Sequence, residues 1–288
     1  MHDLAGCTAV LTGASRGIGA YIARALVKER VNLVLAARSA AKLEELAGEA
    51  RARGVRALAV PTDVADRDAL EALVVGAHRE FGTIDILVNN AGIVQPLAYH
   101  KLQVEDIERM IRVNLTAPLL LTRLVLPGML EQHRGHIVNM SSLAGKAGPP
   151  YDEPYAASKA GLIGFTESLR LEYRGTGVSA SVLCPGFVEG AGMSEQLNEG
   201  IGLVAPRLLG TVTAEAVAQA VIRAIKEDVP EIIVNSGPVR LLTTLAELSP
   251  SLGEWIVRRS GVAALFQKVA ELVERGDIRP EGDTSPHS

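Results

Sequence analysis

Aromatic side chains are scarce in this chain, at 3% of 288 residues. Its core must therefore be filled by Ala, Val, Leu and Ile, which an apolar content of 48% supplies. Basic runs are missing as well, and the formal net charge is −4. A nucleic-acid surface needs clustered Lys and Arg, so no nucleic-acid partner is expected. The 2 cysteines, Cys7 and Cys184, lie in apolar runs. That count excludes a disulfide framework, and both read as small buried hydrophobes. His78, His100, His133 and His136 lack metal-ligand spacing and read as surface or satisfied core residues, so no metal is expected. The longest apolar stretches, such as 117–130, are broken by Arg123 and read as too short for a bilayer. With the first expected strand beginning at Cys7, no leader peptide is expected, and the expected location is the cytoplasm.

What is present is an alternation of short apolar runs with longer segments of helical period, the pattern of a parallel sheet built from βαβ units. Runs at 7–13, 31–38, 55–63, 84–92, 135–142 and 178–186 read as six strands, and 231–237 as a seventh. Most are near-continuously apolar, as strands covered on both faces are. Helical patterns lie between them, including 18–30, 41–53 and 65–81. No linker or repeat divides the region. The expected fold is an α/β doubly wound, seven-stranded parallel sheet over residues 1–237. Extra C-terminal helices are expected over 238–276, at 239–248, 251–259 and 262–274, packed on the same domain. The polar, proline-containing tail 277–288 reads as disordered.

The stretch "LTGASRGIGA" follows the first strand and opens the first helix. Gly13 permits a tight turn, Gly17 lets the backbone approach a phosphate, and Gly19 lets helix and strand meet without an intervening Cβ. Exposed N–H groups and the helix dipole at such a terminus suit a pyrophosphate. A glycine triplet alone is a weak signal; its place between first strand and first helix makes it strong. NAD sites usually carry an acidic residue about 20 positions further on, bonding the ribose 2′-hydroxyl. Here that position holds Ala37, Arg38 follows, and Arg16 sits inside the loop. Two guanidinium groups without a carboxylate suit a 2′-phosphate, so NADP(H) is favoured over NAD(H).

Taken in order, "TGASRGIG" (Thr12–Gly19), "NNAG" (Asn89–Gly92), Asn114 in "VNL", Ser142 in "NMSSLAG", "YAASK" (Tyr155–Lys159) and "PG" (Pro185–Gly186) resemble the classical short-chain dehydrogenases/reductases. The resemblance runs from about Leu4 to Asn235, most of the chain. It implies a Rossmann-type fold and a catalytic set of Asn114, Ser142, Tyr155 and Lys159. It also implies cofactor contacts from Gly13, Ser15, Arg16, Gly17, Ile18, Gly19, Arg38, Asp63, Val64, Asn90, Ala91, Gly92, Tyr155, Lys159, Pro185, Gly186 and Val188. Asp63 and Val64 correspond to the family's adenine contacts. A threonine often found five residues beyond the proline, gripping the carboxamide, is replaced here by Gly190. Family members are usually dimers or tetramers joined through long helices, here read at 104–132 and 154–174, so a homodimer or homotetramer is expected.

Tyr155 and Lys159 stand four residues apart, hence on one helix face, with only Ala156, Ala157 and Ser158 between them. Reducing a ketone needs hydride at carbon and a proton at oxygen. A phenol is a weak base at neutral pH, and an adjacent ammonium favours its ionised form, as general acid–base work requires. By the resemblance, Lys159 also bonds the nicotinamide ribose and Asn114 keeps a water for proton return. Ser142 bonds the substrate oxygen; Ser141 is the competing candidate. Asp152 and Glu153 are read as caps of the following helix.

The substrate pocket is expected from 94–100, 143–152 and 187–202, the last as a glycine-rich lid. Its apolar content points to a small hydrophobic carbonyl or alcohol. The C-terminal helices either deepen this pocket or meet another subunit. The apolar stripe Val262, Leu265, Phe266, Val269, Leu272 and Val273 packs on the protein body in the favoured reading and on a membrane surface in the other. The expected activity is NADPH-dependent carbonyl reduction, reversible in principle. The alternative is a regulatory protein that binds NADPH without turnover.

Overall fold

Each of the seven apolar runs becomes a strand in the computed structural model, which describes residues 1–189 and 210–278. The strands are β1 (Thr8–Thr12), β2 (Asn32–Ala37), β3 (Ala57–Pro61), β4 (Ile86–Asn89), β5 (Gly135–Met140), β6 (Val178–Pro185), β7 (Phe187–Glu189), β8 (Thr211–Thr213) and β9 (Glu231–Val234). All but β7 and β8 form one sheet in the order β3-β2-β1-β4-β5-β6-β9, and its pairings are parallel throughout. The readings of Gly190 and of 191–202 as a lid, and of the tail from 279 as disordered, fall outside the described residues.

Ten α-helices are described: α1 (Gly17–Lys28), α2 (Ala40–Ala52), α3 (Arg67–Phe81), α4 (Val104–Ile111), α5 (Ala117–Glu131), α6 (Glu153–Glu172), α7 (Ala214–Glu227), α8 (Val239–Leu248), α9 (Pro250–Arg259) and α10 (Val262–Arg275). The strands read as continuously apolar because the sheet is covered on both faces. Along β1 all five residues are buried. Ala9 and Leu11 enter a core with Ile22 of α1, Leu43 of α2 and Val221 of α7; Val10 enters another with Leu73 of α3, Leu121 of α5 and Leu169 of α6. This is the doubly wound, Rossmann-type architecture. After β3, at the sheet edge, the chain crosses to β4 on the far side of β1. That reversal opens a crevice at the carboxyl ends of β1 and β4, where such sheets bind ligands.

Two details were not legible in the sequence pattern. β7 and β8 pair as a separate two-stranded parallel ribbon, Phe187 opposite Thr211. Three-residue strands are too short for an alternation to register. The stretch expected as one long helix at 104–132 is instead α4 and α5 joined by a π-helical turn, Arg112–Thr116. Together they make a 28-residue rod with an 18-residue window of mean hydropathy 1.4, long and apolar enough by composition to cross a bilayer. This corrects the reading from 117–130 alone, because the helix runs back through the π turn to Val104. Half of its apolar window is buried inside the fold, where Val113, Leu121, Val125 and Met129 pack under the sheet.

The C-terminal helices fold back over the carboxyl ends of the strands. In α10, Val262, Phe266, Val269 and Ala270 are buried, and the Phe266 ring lies 6.4 Å from that of Phe187. An ion pair between Lys101 and Glu274 ties the helix to the segment after β4. Of the stripe, Val262, Phe266 and Val269 are buried in the protein, while Leu265, Leu272 and Val273 are half-buried.

Candidate active site

Backbone builds the first wall of the crevice. Gly13 and Gly17 adopt φ of +66° and +52°, values that side-chain-bearing residues rarely take. A Cβ on Gly19 would stand 2.0 Å from the Gly13 carbonyl oxygen, so only glycine lets α1 start this close to β1. Asn90 staples the turn to β4: its N–H reaches Thr12 Oγ1 at 3.0 Å, and its Nδ2 donates to the carbonyls of Thr12 at 3.0 Å and Gly13 at 3.2 Å. The Ala91 N–H shares Thr12 Oγ1 at 3.1 Å. Asn90 thus positions the loop as well as lining the crevice.

The loop is also tied to β2, through the Ala14 N–H and the Ala36 carbonyl at 3.2 Å. Two residues on, Arg38 is exposed, as is Arg16 at the start of α1, while Ser15 is half-buried. Asp63 is exposed beyond β3, its Oδ1 accepting the Ala65 N–H at 3.0 Å. The Val64 side chain belongs to the core, so only its backbone faces outward. This end of the crevice fits a dinucleotide: a cradle that a Cβ would fill, a helix N-terminus, and two exposed guanidinium groups with Ala37 where an acid would stand.

Side chains build the other end. A cavity of about 300 Å³ brings together Ile18, Asn90, Gly92, Ser142, Tyr155, Lys159, Pro185, Gly186 and Val188 from the expected set. Tyr155 and Lys159 share the face of α6 expected from their spacing, with Lys159 Nζ 5.5 Å from the tyrosine ring centroid. Lys159 is wholly buried, and burial lowers its pKa to about 8, leaving it an ammonium at neutral pH. Its Nζ donates to the Met140 carbonyl at 2.8 Å. A Cβ on Gly92 would lie 3.4 Å from that Nζ and 3.5 Å from Asn114 Oδ1, so the three groups meet at one point.

The two serine candidates separate cleanly. Ser141 is buried and its Oγ donates to the Lys159 carbonyl at 2.8 Å, a brace for α6. Ser142 Oγ accepts the Ala144 N–H at 3.1 Å, which keeps its own hydrogen for another partner. Asn114 sits in the π turn and lies behind the cavity, fully buried. Its Oδ1 accepts the Ile93 N–H and its Nδ2 donates to the Ile93 carbonyl, both at 2.8 Å, with a further bond to Ser158 Oγ at 3.2 Å. It clamps the segment following β4 to α6. π turns of this kind re-aim side chains near functional sites.

Asp152 departs from expectation. It occupies the N-cap position of α6, yet its side chain accepts no capping bond, and Glu153 Oε1 accepts the Tyr151 N–H at 3.2 Å instead. Asp152 is 1% exposed, lines the cavity, and neither carboxyl oxygen has a hydrogen-bond partner among the described residues. Burial, then the charge of Glu153, raises its pKa to about 8. The adjacent carboxylates were visible in the sequence; the burial of one was not.

Much of the rest of the lining is apolar. Val94, Leu143, Ala147, Pro149 and Phe187 come from the expected segments, while Val239, Leu242, Ala246, Val257, Val262 and Phe266 come from α8, α9 and α10. These helices therefore deepen the pocket. Burial pushes the Cys184 thiol up to about 12, and both cysteines are buried and free, as expected for inert core residues. Burial lowers His136 to about 4; its Nε2 lies 2.9 Å from Ser181 Oγ. Among the described residues no cluster of three or more His, Cys, Asp or Glu could hold a metal.

The comparisons with known proteins agree with this geometry. A family model described as short chain dehydrogenase matches residues 7–202. The chain is 43% identical over 291 residues to the ketoacyl reductase HetN of Nostoc sp., covering 99% of this chain and 100% of that protein. It is 38% identical over 199 residues to a 3-oxoacyl-(acyl-carrier-protein) reductase of Synechocystis sp., covering 69% and 80% respectively. A crystal structure of a metagenomic short-chain oxidoreductase in complex with NADP superposes with a TM-score of 0.69 at 34% identity, covering 81% of this chain and 98% of that one. A Rossmann-type sheet, a glycine cradle at its switch point and a tyrosine–lysine pair facing one cavity are thus joined by sequence likeness over most of the chain, which belongs to the short-chain dehydrogenase family.

Proposed function

We propose that this protein is an NADP(H)-dependent ketoreductase that interconverts a carbonyl and a secondary alcohol on a hydrophobic acyl substrate. The observation that carries the reading is Tyr155 and Lys159 on one face of α6, opening with Ser142 into a single cavity. The Gly13–Gly19 loop, Asn90 and Lys159 would hold a nicotinamide cofactor, which would supply or accept a hydride at the carbonyl carbon. The Tyr155 hydroxyl gives its proton to the oxygen, so that hydride plus proton turn C=O into CH–OH. The Lys159 ammonium stabilises the phenolate left behind and has two N–H donors beyond the one held by Met140. Ser142 donates to the oxygen as charge develops there, an oxyanion-type contact. Asn114 holds the Ile93 segment against α6 and is the candidate for the proton-return path.

NADP(H) is favoured because Arg16 and Arg38 stand exposed where a 2′-phosphate would need a charged grip, and the neighbour described in complex with NADP supports the same choice. The acyl substrate is supported by relatives named as ketoacyl and 3-oxoacyl reductases and by the apolar wall from α8–α10. A panel of aliphatic ketones and 3-oxoacyl thioesters, assayed with NADPH and NADH, tests the reading. Turnover of at least one class with NADPH preferred is expected. Strong preference for NADH would overturn the assignment of the two arginines.

A further inference from the structure

We propose that Asp152 is a substrate-recognition residue, whose carboxyl grips the ester or thioester carbonyl one methylene away from the ketone being reduced. The inference rests on the ketoreductase reading and names the feature that the site selects. Of the polar residues around the cavity, Asn90, Ser141, Ser142, Lys159, Thr243 and Ser260 each have a hydrogen-bond partner within the protein. Asp152 has none for either oxygen, although it is 1% exposed. Buried polar groups are ordinarily paired, so an orphan on a cavity wall calls for a partner that arrives from the cavity.

Its chemistry limits that partner. With a pKa of about 8, set by burial and by Glu153, the group is a neutral acid at neutral pH. A neutral acid offers one O–H donor and one carbonyl acceptor, which suits a second carbonyl and repels no electron-rich oxygen. Position also fits. Asp152 is the N-cap of α6, three residues before Tyr155, and both side chains line the same cavity. In the proposed complex they hold two oxygens of one 1,3-dicarbonyl unit, Tyr155 the reacting one and Asp152 the other. The backbone is held to allow it: Tyr151 adopts φ +68°, and its carbonyl accepts the Leu97 N–H at 3.0 Å. A non-glycine residue keeps such a conformation only when its surroundings impose it.

The test uses 3-oxooctanoyl-N-acetylcysteamine and 3-octanone with the wild type, Asp152→Asn and Asp152→Leu. Asparagine reproduces the donor and acceptor of the neutral acid; leucine removes both. For the thioester, Asp152→Leu is expected to raise KM about tenfold or more with kcat little changed, and Asp152→Asn to stay within about threefold. For the ketone, Asp152→Leu is expected to lose far less than for the thioester, so the thioester-to-ketone ratio of kcat/KM falls about tenfold in Asp152→Leu and stays within about threefold in Asp152→Asn, with circular dichroism showing that both fold. Equal losses on the two substrates, or loss of the thioester in the asparagine variant, would overturn the proposal. Calorimetric binding of the same pair to the NADP⁺-loaded protein keeps it separate from the activity reading. If the wild type turns over neither compound, the ketoreductase reading fails. A thioester preference in binding that Asp152→Leu abolishes would still establish Asp152, and no preference would refute it.

Discussion

The two ends of the cleft are made of different material. At the nucleotide end the wall is backbone: glycines at 13, 17 and 19, amide groups, and a stapling asparagine. At the substrate end it is side chains, many of them from α8, α9 and α10, far along the chain from the strands they cover. A backbone wall offers N–H groups and shape in place of selective side chains. A side-chain wall can be altered residue by residue without disturbing the sheet. The contrast therefore separates a generic cofactor half from a particular substrate half, with Tyr155 and Lys159 at their junction.

That division can be broken or sharpened by substitution. Tyr155→Phe, at the junction, should lower carbonyl reduction by about 10²- to 10⁴-fold, the usual range for a lost general acid. NADPH affinity, followed by fluorescence titration, should change little. A wild type that binds NADPH but reduces nothing in a broad panel would favour the regulatory alternative. Gly19→Ala strikes the backbone wall. Its Cβ would meet the Gly13 oxygen at 2.0 Å, so NADPH binding should fall by more than about tenfold and stability by about 1–3 kcal/mol in urea denaturation. Arg38→Ala should weaken NADPH about tenfold and leave NADH unchanged, since a charge-assisted contact is worth about 1.5–3 kcal/mol; equal loss of both would remove the 2′-phosphate argument. Phe266→Ala is the counterpart on the side-chain wall. It should raise KM for a long acyl ketone by a few-fold with NADPH affinity intact, and lower stability by up to about 3 kcal/mol. A drop in NADPH affinity there would show that the two halves are coupled.

The same contrast explains what could be read in advance. The strands themselves and the glycine cradle depend on local signals: continuous apolar runs, helical spacing, and glycine where φ is positive or a Cβ has no room. Tyr155 and Lys159 needed only the geometry of one helix. Between Ser141 and Ser142 the family pattern favours Ser142, and the structure adds a physical difference, since Ser141 Oγ is bonded to the Lys159 carbonyl. Asp152 was misread as a cap because the residue type and position suit one. Its burial depends on a left-handed Tyr151 and on a cavity assembled from distant helices. The π turn at Arg112–Thr116 and the β7–β8 ribbon were hidden for a related reason: each is too short to leave a periodic trace.

The amino-acid order alone determined the layers, the parallel sheet and the nucleotide cradle, because these follow from burial on two faces and from backbone freedom at single residues. Only the tertiary structure decided which carboxyl is buried and unpartnered, which serine keeps its hydrogen, and that helices after 238 wall the cavity. Those properties arise when segments more than a hundred residues apart exclude water together, and no local pattern carries that information.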